Sequence, residues 1–352
     1  MGNGNIPIAV LHGDQTGEEL LIEALRVLDG DLLGVGFDLT HFDLSLQERR
    51  RTDNGVVSAA AAAMRAGAYG LKAATITPDA AGDVGSPNRL LREGVGGDVI
   101  IRTGRRLPGI STVAGVTQPI SVVRMATGDA YGAKEWRDEQ TGEAFRTERI
   151  TMKSCQAVAR FAFEHAAATG AVVLGGPKYT VSPVYEGLLK EALDAEALNH
   201  PDVEYRPLLI DALYASLVSG SHDRPLVIPA LNRDGDCLSD LVMQMYGTIA
   251  AAESVLLGDG VMVEAPHGTA PALEGLDVAN PLAMILSIGA LLRHAGYPRA
   301  SKLVYESTLE TVGSGTKTAD LGGDARTSQF VDAVIARMGN KRQAWDSLGL
   351  DA

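Results

Sequence analysis

The chain has 352 residues, of which 45% are hydrophobic and 21% charged, with a formal net charge of −13 and a pI near 5.0. This composition excludes a disordered chain and fits a folded protein large enough for two domains or one large α/β unit. The acidic balance argues against nucleic acid or an anionic membrane as the main partner, but local arginines can still grip a small acidic ligand.

The two cysteines, Cys155 and Cys237, have neither metal-ligand nor redox spacing, which points to a reducing cytoplasm. The first residues carry no basic segment followed by a long apolar run, so no secretory signal is expected. Met-Gly followed by Ile6 lacks the Ser or Thr of a myristoylation motif. The alanine-rich run 57–70 contains Arg65 and is too short to span a bilayer.

In chain order, IPIAVLHGD (6–14) reads as a buried strand entering a loop, and EELLIEALRVLDG (18–30) as a helix stopped by glycine. Strand followed by helix predicts an α/β fold. Residues 67–79 read as a strand entering a Pro- and Gly-containing loop, 98–106 as a strand, and 120–132 as a strand running into a loop. The polar stretch 135–149 suggests an arm or exposed hairpin. Residues 154–170 form an amphipathic helix ending at Gly170, and 171–178 and 224–232 contain short apolar strands. A long apolar helix between Pro281 and Gly296 completes the pattern. No internal repeat or low-complexity linker is present.

Four cations in or beside apolar segments, Arg92, Arg102, Arg124 and Lys178, are anion-binding candidates, because guanidinium groups hold carboxylates bidentately. A surface ion pair is the ordinary alternative for each taken singly. Asp236 and Asp240 are four apart, so a helix puts both carboxylates on one face. They suit a hard divalent cation, Mg²⁺ or Mn²⁺, or else a solvated helix N-terminus. Asp211, flanked by apolar residues, is a third ligand or a helix cap. The loop His267-Gly268-Thr269-Ala270-Pro271 offers amides and a hydroxyl to an adenine or a phosphate. Neither G-x-G-x-x-G behind a first strand nor a P-loop motif occurs. Tyr131 and Lys178 are the candidate acid and base.

Taken together, these motifs resemble the β-decarboxylating dehydrogenases, the isocitrate/isopropylmalate dehydrogenase family, over nearly the whole chain. The matching segments are AVLHGDQTGEEL, LLREGVGGDVIIR, VVRMATGDAYGAKEW, GDCLSDLVMQMYGTIAAAESVLLGDG, TADLGGDARTSQF and, most closely, EAPHGTAPALEGLDVANPLAMILSIGALLRH. The resemblance implies two α/β domains with the active site in the cleft between them. The large cofactor-binding domain would comprise 1–98 and 249–352, and the small domain 99–248, including a dimer arm.

The resemblance also implies that Arg92, Arg102 and Arg124 bind the carboxylates of a 2-hydroxy acid. Ser86 and Asn88, ahead of Arg92, are similar to the isocitrate-type branch, which points to isocitrate or a close analogue. A phosphonomethyl analogue from antibiotic biosynthesis would satisfy the same donors. Asp236 and Asp240, with Asp211 from the partner subunit, would hold Mg²⁺ or Mn²⁺. Lys178, also from the partner, would take the hydroxyl proton, and Tyr131 would protonate the carbon after CO₂ leaves. A homodimer with shared sites is implied. The cofactor, NAD with NADP as the alternative, would be held by Thr77, Thr180, Glu264, His267, Gly268, Thr269, Ala270, Ala272 and Asn280.

The departures from the family pattern hint at a specialised branch. Gln15 and Glu18 replace glycine and proline, Met125 replaces glutamate, and Thr180 replaces asparagine. Ala272 stands where NAD-dependent relatives carry Asp and NADP-dependent bacterial isocitrate enzymes carry Lys. Glu274 is then the nearest acceptor for a ribose diol and Arg326 a candidate for a 2′-phosphate. The rival readings are a non-catalytic regulatory subunit and a carboxylate- or phosphonate-binding protein. The full set of charged residues argues for an enzyme.

Overall fold

The computed structural model describes residues 4–80, 82–220 and 222–349. Within it the chain divides into two compact units. One comprises Met1–Gly96, Leu107–Ser111 and Tyr246–Ala352, and the other Gly97–Arg106 and Thr112–Met245. The sequence-based division fell at 98 and 248 and did not include the short return of Leu107–Ser111 to the first unit.

In the first unit the strands run in the order Phe37–Asp43, Ile6–His12, Tyr69–Lys72, Val261–Glu264 and Ser254–Gly258. The first four are mutually parallel, and the last pairs antiparallel with its neighbour. Ile8, Ala9, Val10 and Leu11 are fully buried, a continuous apolar run as expected of a parallel strand covered on both faces. The helix Leu282–His294 is buried on every side from Leu282 through Leu292, so it is a core helix and not an amphipathic surface one. Each fully buried leucine or isoleucine in it contributes about 1.5–3 kcal/mol. Gly17, in the first turn of the helix Gln15–Leu25, lies against Ala74. An added Cβ would stand 2.7 Å from the Ala74 Cβ, so only glycine permits this approach.

In the second unit the strand order is Gly97–Gly104, Ile120–Met125, Leu226–Ala230, Val172–Leu174 and Tyr205–Arg206. The first pair is antiparallel and the others parallel. The helix Met152–Thr169 is capped by Thr151 and ends at Gly170 in the left-handed conformation, the stop signal that its sequence carries. The polar stretch forms an antiparallel hairpin, Lys134–Arg137 against Ala144–Thr147, exposed along both strands. Among the described residues no helix is long and apolar enough to cross a membrane.

Candidate functional site

In the second unit, Arg124 stands near the end of Ile120–Met125, in register with Ala230 at the end of the parallel strand Leu226–Ala230. The chain leaves that strand into the helix Asn232–Met245. The carboxyl ends of parallel strands are the usual place for ligand groups in α/β sheets. Asn232, Asp236, Ser239 and Asp240 fall on one face of the helix, at spacings of four, three and one. Gly235 lets that helix sit on the strand, since an added Cβ would lie 2.7 Å from the Arg124 Cβ.

The Arg124 guanidinium is almost fully buried. It donates from Nε to Asn232 Oδ1 at 2.9 Å and is ion-paired with Asp236. Arg102, also buried, donates to Ser239 Oγ at 2.9 Å; its Nη1 lies 3.6 Å from Asp236 Oδ1 and 3.5 Å from Asp240 Oδ1. Tyr131 donates its hydroxyl to Asp236 Oδ2 at 2.9 Å, with the Arg124 guanidinium 5.5 Å from its ring centre. Desolvation of that hydroxyl, then the Asp236 carboxylate, pushes the phenol up to about 12, so it holds its proton at neutral pH. Loss of solvent also raises the Asp240 pKa from its ordinary value, with Arg102 opposing the shift, Asp236 adding to it and Arg124 opposing it.

Both acidic side chains therefore reach one guanidinium nitrogen, and both are hard oxygen donors of the kind that Mg²⁺ and Mn²⁺ prefer. Among the described residues no three His, Cys, Asp or Glu side chains come together as a metal-binding group. The Asp236–Asp240 pair is thus chemically suited to a divalent cation but needs further ligands. Asp211, in the first turn of the helix Ile210–Ser219, pairs instead with Lys178 Nζ at 2.5 Å, and this bond lowers its pKa. The backbone N–H of Lys178 donates to Glu186. Thr180 is exposed, in the turn that follows.

In the first unit, Ser86 occupies the N-cap position of the helix Pro87–Val95 without a side-chain capping hydrogen bond, and Arg92 lies half-buried in its last turn. Asn88 Oδ1 is buried and has no hydrogen-bond partner. Thr77 is exposed in the segment between the strand Tyr69–Lys72 and that helix.

Glu264 ends its strand in a buried ion pair with Lys72, 3.0 Å long. His267 Nδ1 donates to the Gly268 carbonyl at 3.0 Å, while its Nε2 is buried without a partner. Burial lowers the His267 pKa, which favours the neutral ring. An orphaned ring nitrogen of this kind suits a heterocycle edge. Thr269 is half-buried, and Gly268 and Ala272 are exposed. Ala270 holds a left-handed φ of 43°, and its carbonyl accepts from Thr16 Oγ1 at 2.8 Å. Glu19 accepts from the Gly275 N–H at 2.7 Å, so the first two turns of the Gln15–Leu25 helix clasp this loop at two points. Asn280 is committed at both ends, donating to Asp320 at 2.9 Å and accepting from the Leu282 N–H at 3.0 Å.

Sequence reasoning missed Asn232 and Ser239, although their helical spacing from Asp236 was there to read. It also missed Asp129, a buried carboxylate that accepts from the Arg233 N–H at 2.9 Å and from Tyr185 at 2.9 Å, and so anchors the start of the Asn232–Met245 helix.

Comparison with known proteins converges on one family. Residues 7–334 match the isocitrate/isopropylmalate dehydrogenase family. The chain is 30% identical to 3-isopropylmalate dehydrogenase of Archaeoglobus fulgidus, covering 94% of this chain and 98% of that protein. It is 30% identical to the NADP isocitrate dehydrogenase of Thermus thermophilus, over 96% and 68% respectively. A solved structure of the TT0538 protein from Thermus thermophilus superposes with a TM-score of 0.87 at 28% identity, over 96% of this chain and 69% of that one. Isocitrate dehydrogenase from Methylococcus capsulatus shares the fold, with a TM-score of 0.86 over 95% and 99%. The chain belongs to the isocitrate/isopropylmalate dehydrogenase family.

Proposed function

We propose that the protein catalyses metal-dependent oxidative decarboxylation of an isocitrate-like 2-hydroxy acid, with a nicotinamide dinucleotide as hydride acceptor. The observation that carries this reading is the convergence of Arg102, Arg124 and Tyr131 on the Asp236–Asp240 pair. Arginines held by acidic side chains can exchange those partners for substrate carboxylates without losing charge compensation. Asp236 and Asp240, completed by Asp211 of a second copy of the chain, would hold Mg²⁺ or Mn²⁺, which polarises the hydroxyl and its neighbouring carboxylate when bound.

Arg102 and Arg124, with Arg92, orient the acid through its carboxylates. Lys178, once it has left the Asp211 ion pair and lost its own proton, would take the proton of the 2-hydroxyl, and the dinucleotide when bound would supply the acceptor for the C2 hydride. The resulting β-keto acid loses CO₂ by cleavage of its C–C bond, and Tyr131 donates a proton to the carbon left behind. Lys178 and Asp211, paired with each other at 2.5 Å, form the unit that a homodimer would deliver to its neighbour's site. Ser86 and Asn88, the latter with a buried unpartnered oxygen, favour a third polar arm on the substrate over an alkyl one. His267 and the loop to Asn280, with Thr77 and Thr180, bind the dinucleotide, with NAD preferred to NADP. The acidic chain with two unpaired cysteines suits a cytoplasmic setting.

The test is dinucleotide reduction with isocitrate and, separately, its phosphonomethyl analogue, each with NAD and NADP, in Mg²⁺ or Mn²⁺. Turnover of isocitrate supports the proposal in its leading form. Turnover of the phosphonate alone moves the enzyme to a biosynthetic route. Failure with both, and with homoisocitrate, isopropylmalate and tartrate, would favour a non-catalytic regulatory subunit.

A further inference from the structure

Arg49 lies in the helix Leu46–Thr52 and is fully buried. The two arginines that follow it, Arg50 and Arg51, are exposed and paired with Asp83 and Glu48. Among the described residues, Arg49 hydrogen-bonds to no carboxylate. It donates from Nε to the Leu44 carbonyl at 3.0 Å, from Nη1 to the Gly85 carbonyl at 3.1 Å, and from Nη2 to the Ile76 carbonyl.

The last two acceptors are nine residues apart, and each has a particular place. The Ile76 carbonyl belongs to the peptide that enters Thr77, and the Gly85 carbonyl to the peptide that enters Ser86. One planar guanidinium thus fixes two peptide planes, one ahead of a candidate cofactor residue and one ahead of a candidate substrate residue. A lysine ammonium has no such fork.

The neighbouring contacts reinforce the same segment. Asp14 accepts from the Leu46 N–H at 2.9 Å and the Ile76 N–H at 2.8 Å, which ties the helix that carries Arg49 to the start of the segment. Asn54 donates to the Val84 carbonyl at 2.8 Å, and Arg50 donates to Asp83 at 2.6 Å. Burying a guanidinium among neutral carbonyls is costly. Desolvation lowers the Arg49 pKa, and Asp14 and Asp83 oppose that shift. A surface helix alone does not require such a cost.

We infer that Arg49 is a positioning residue that sets the separation and orientation of Thr77 and Ser86, and through them couples the dinucleotide and hydroxy-acid sites. This rests on the functional reading above. The experiment compares Arg49→Lys and Arg49→Gln with wild type and with the exposed control Arg51→Ala, at a temperature where circular dichroism shows each fully folded. KM for isocitrate and KM for the dinucleotide should both rise about tenfold in the Arg49 variants, with kcat changed less. Amide exchange should accelerate in 77–86 but not in the strand Ile6–His12. The Arg51→Ala variant should match wild type in both measurements.

Unchanged KM values and unchanged exchange in either folded Arg49 variant would overturn the inference. Loss of fold in both would overturn it as well, since Arg49 would then sustain the whole unit and not this segment. If wild type turns over no acid, the functional reading fails by itself. Faster exchange confined to 77–86 would then still support the clamp, and uniform exchange would refute it.

Discussion

Arg49 and Arg124 are both buried guanidinium groups, and their surroundings differ in kind. Arg49 is satisfied by three backbone carbonyls, which belong to the chain trace and cannot leave. Arg124 is satisfied by the side chains of Asn232 and Asp236, and Asp236 is itself shared with Arg102 and Tyr131. A network of side chains can be rearranged when an anion or a cation arrives, whereas a network of carbonyls can only be broken. The first arrangement belongs to structure and the second to chemistry. Their mutants should fail in different measurements.

The largest effect is expected where protons move. Lys178→Ala and Tyr131→Phe should each lower kcat by about 10²–10⁴-fold while substrate binding, followed by calorimetry, persists. Near-normal turnover in both would remove them from the chemistry. Next come the two arginines. Arg49→Met strands three carbonyls, each costing about 1–3 kcal/mol if left buried and unpaired, so its midpoint in urea should fall markedly. Arg124→Met leaves Asp236 with Arg102 nearby and partial solvent contact, so the stability loss should be smaller, about 2 kcal/mol, with kcat/KM the main casualty. Equal stability losses with no loss of kcat/KM in Arg124→Met would erase the distinction.

Gly235→Ala probes the packing beneath the same cluster. Its Cβ would press on Arg124, and overpacking of this kind costs about 1–3 kcal/mol. A raised KM for the hydroxy acid should accompany the lowered melting temperature; normal values of both would show that the helix can shift freely.

The smallest effect concerns a histidine network at the end of the strand Ile6–His12. His12 Nδ1 lies 2.6 Å from Glu18 Oε1, and His12 Nε2 lies 2.8 Å from His41 Nδ1. The hydrogen bond to Glu18 raises the His12 pKa above 6.5. Stability from that pair is therefore fully present below pH 6.5 and lost as pH rises through the elevated value. The stability difference between wild type and Glu18→Gln should shrink towards alkaline pH, within about 1 kcal/mol overall. A difference independent of pH would mean that the pair is held by something other than His12 protonation.

These contrasts also explain what could be read from the sequence. The α/β class followed from apolar strands alternating with amphipathic helices, and the Leu282–His294 helix from its unbroken apolar run. The pairing of Asp236 with Asp240 followed from helical spacing, since both partners lie on one element. The His12–His41 contact spans 29 residues and depends on the parallel pairing of their two strands, which no local pattern encodes. Arg49 was harder still. In LQERRRTDN three consecutive arginines look like a solvated turn, and only packing turns the first inward while Arg50 and Arg51 face water. The partner of Asp211 could not be read either, because a salt bridge to Lys178 depends on the start of one helix meeting a distant loop.

The most direct single measurement is the stoichiometry of CO₂ and reduced dinucleotide formed from isocitrate in Mg²⁺, for wild type and for Asp236→Asn. Equal amounts of the two products, both lost in the variant, are expected of a site built on the Asp236 carboxylate. Dinucleotide reduction without CO₂, or undiminished turnover in Asp236→Asn, would contradict it.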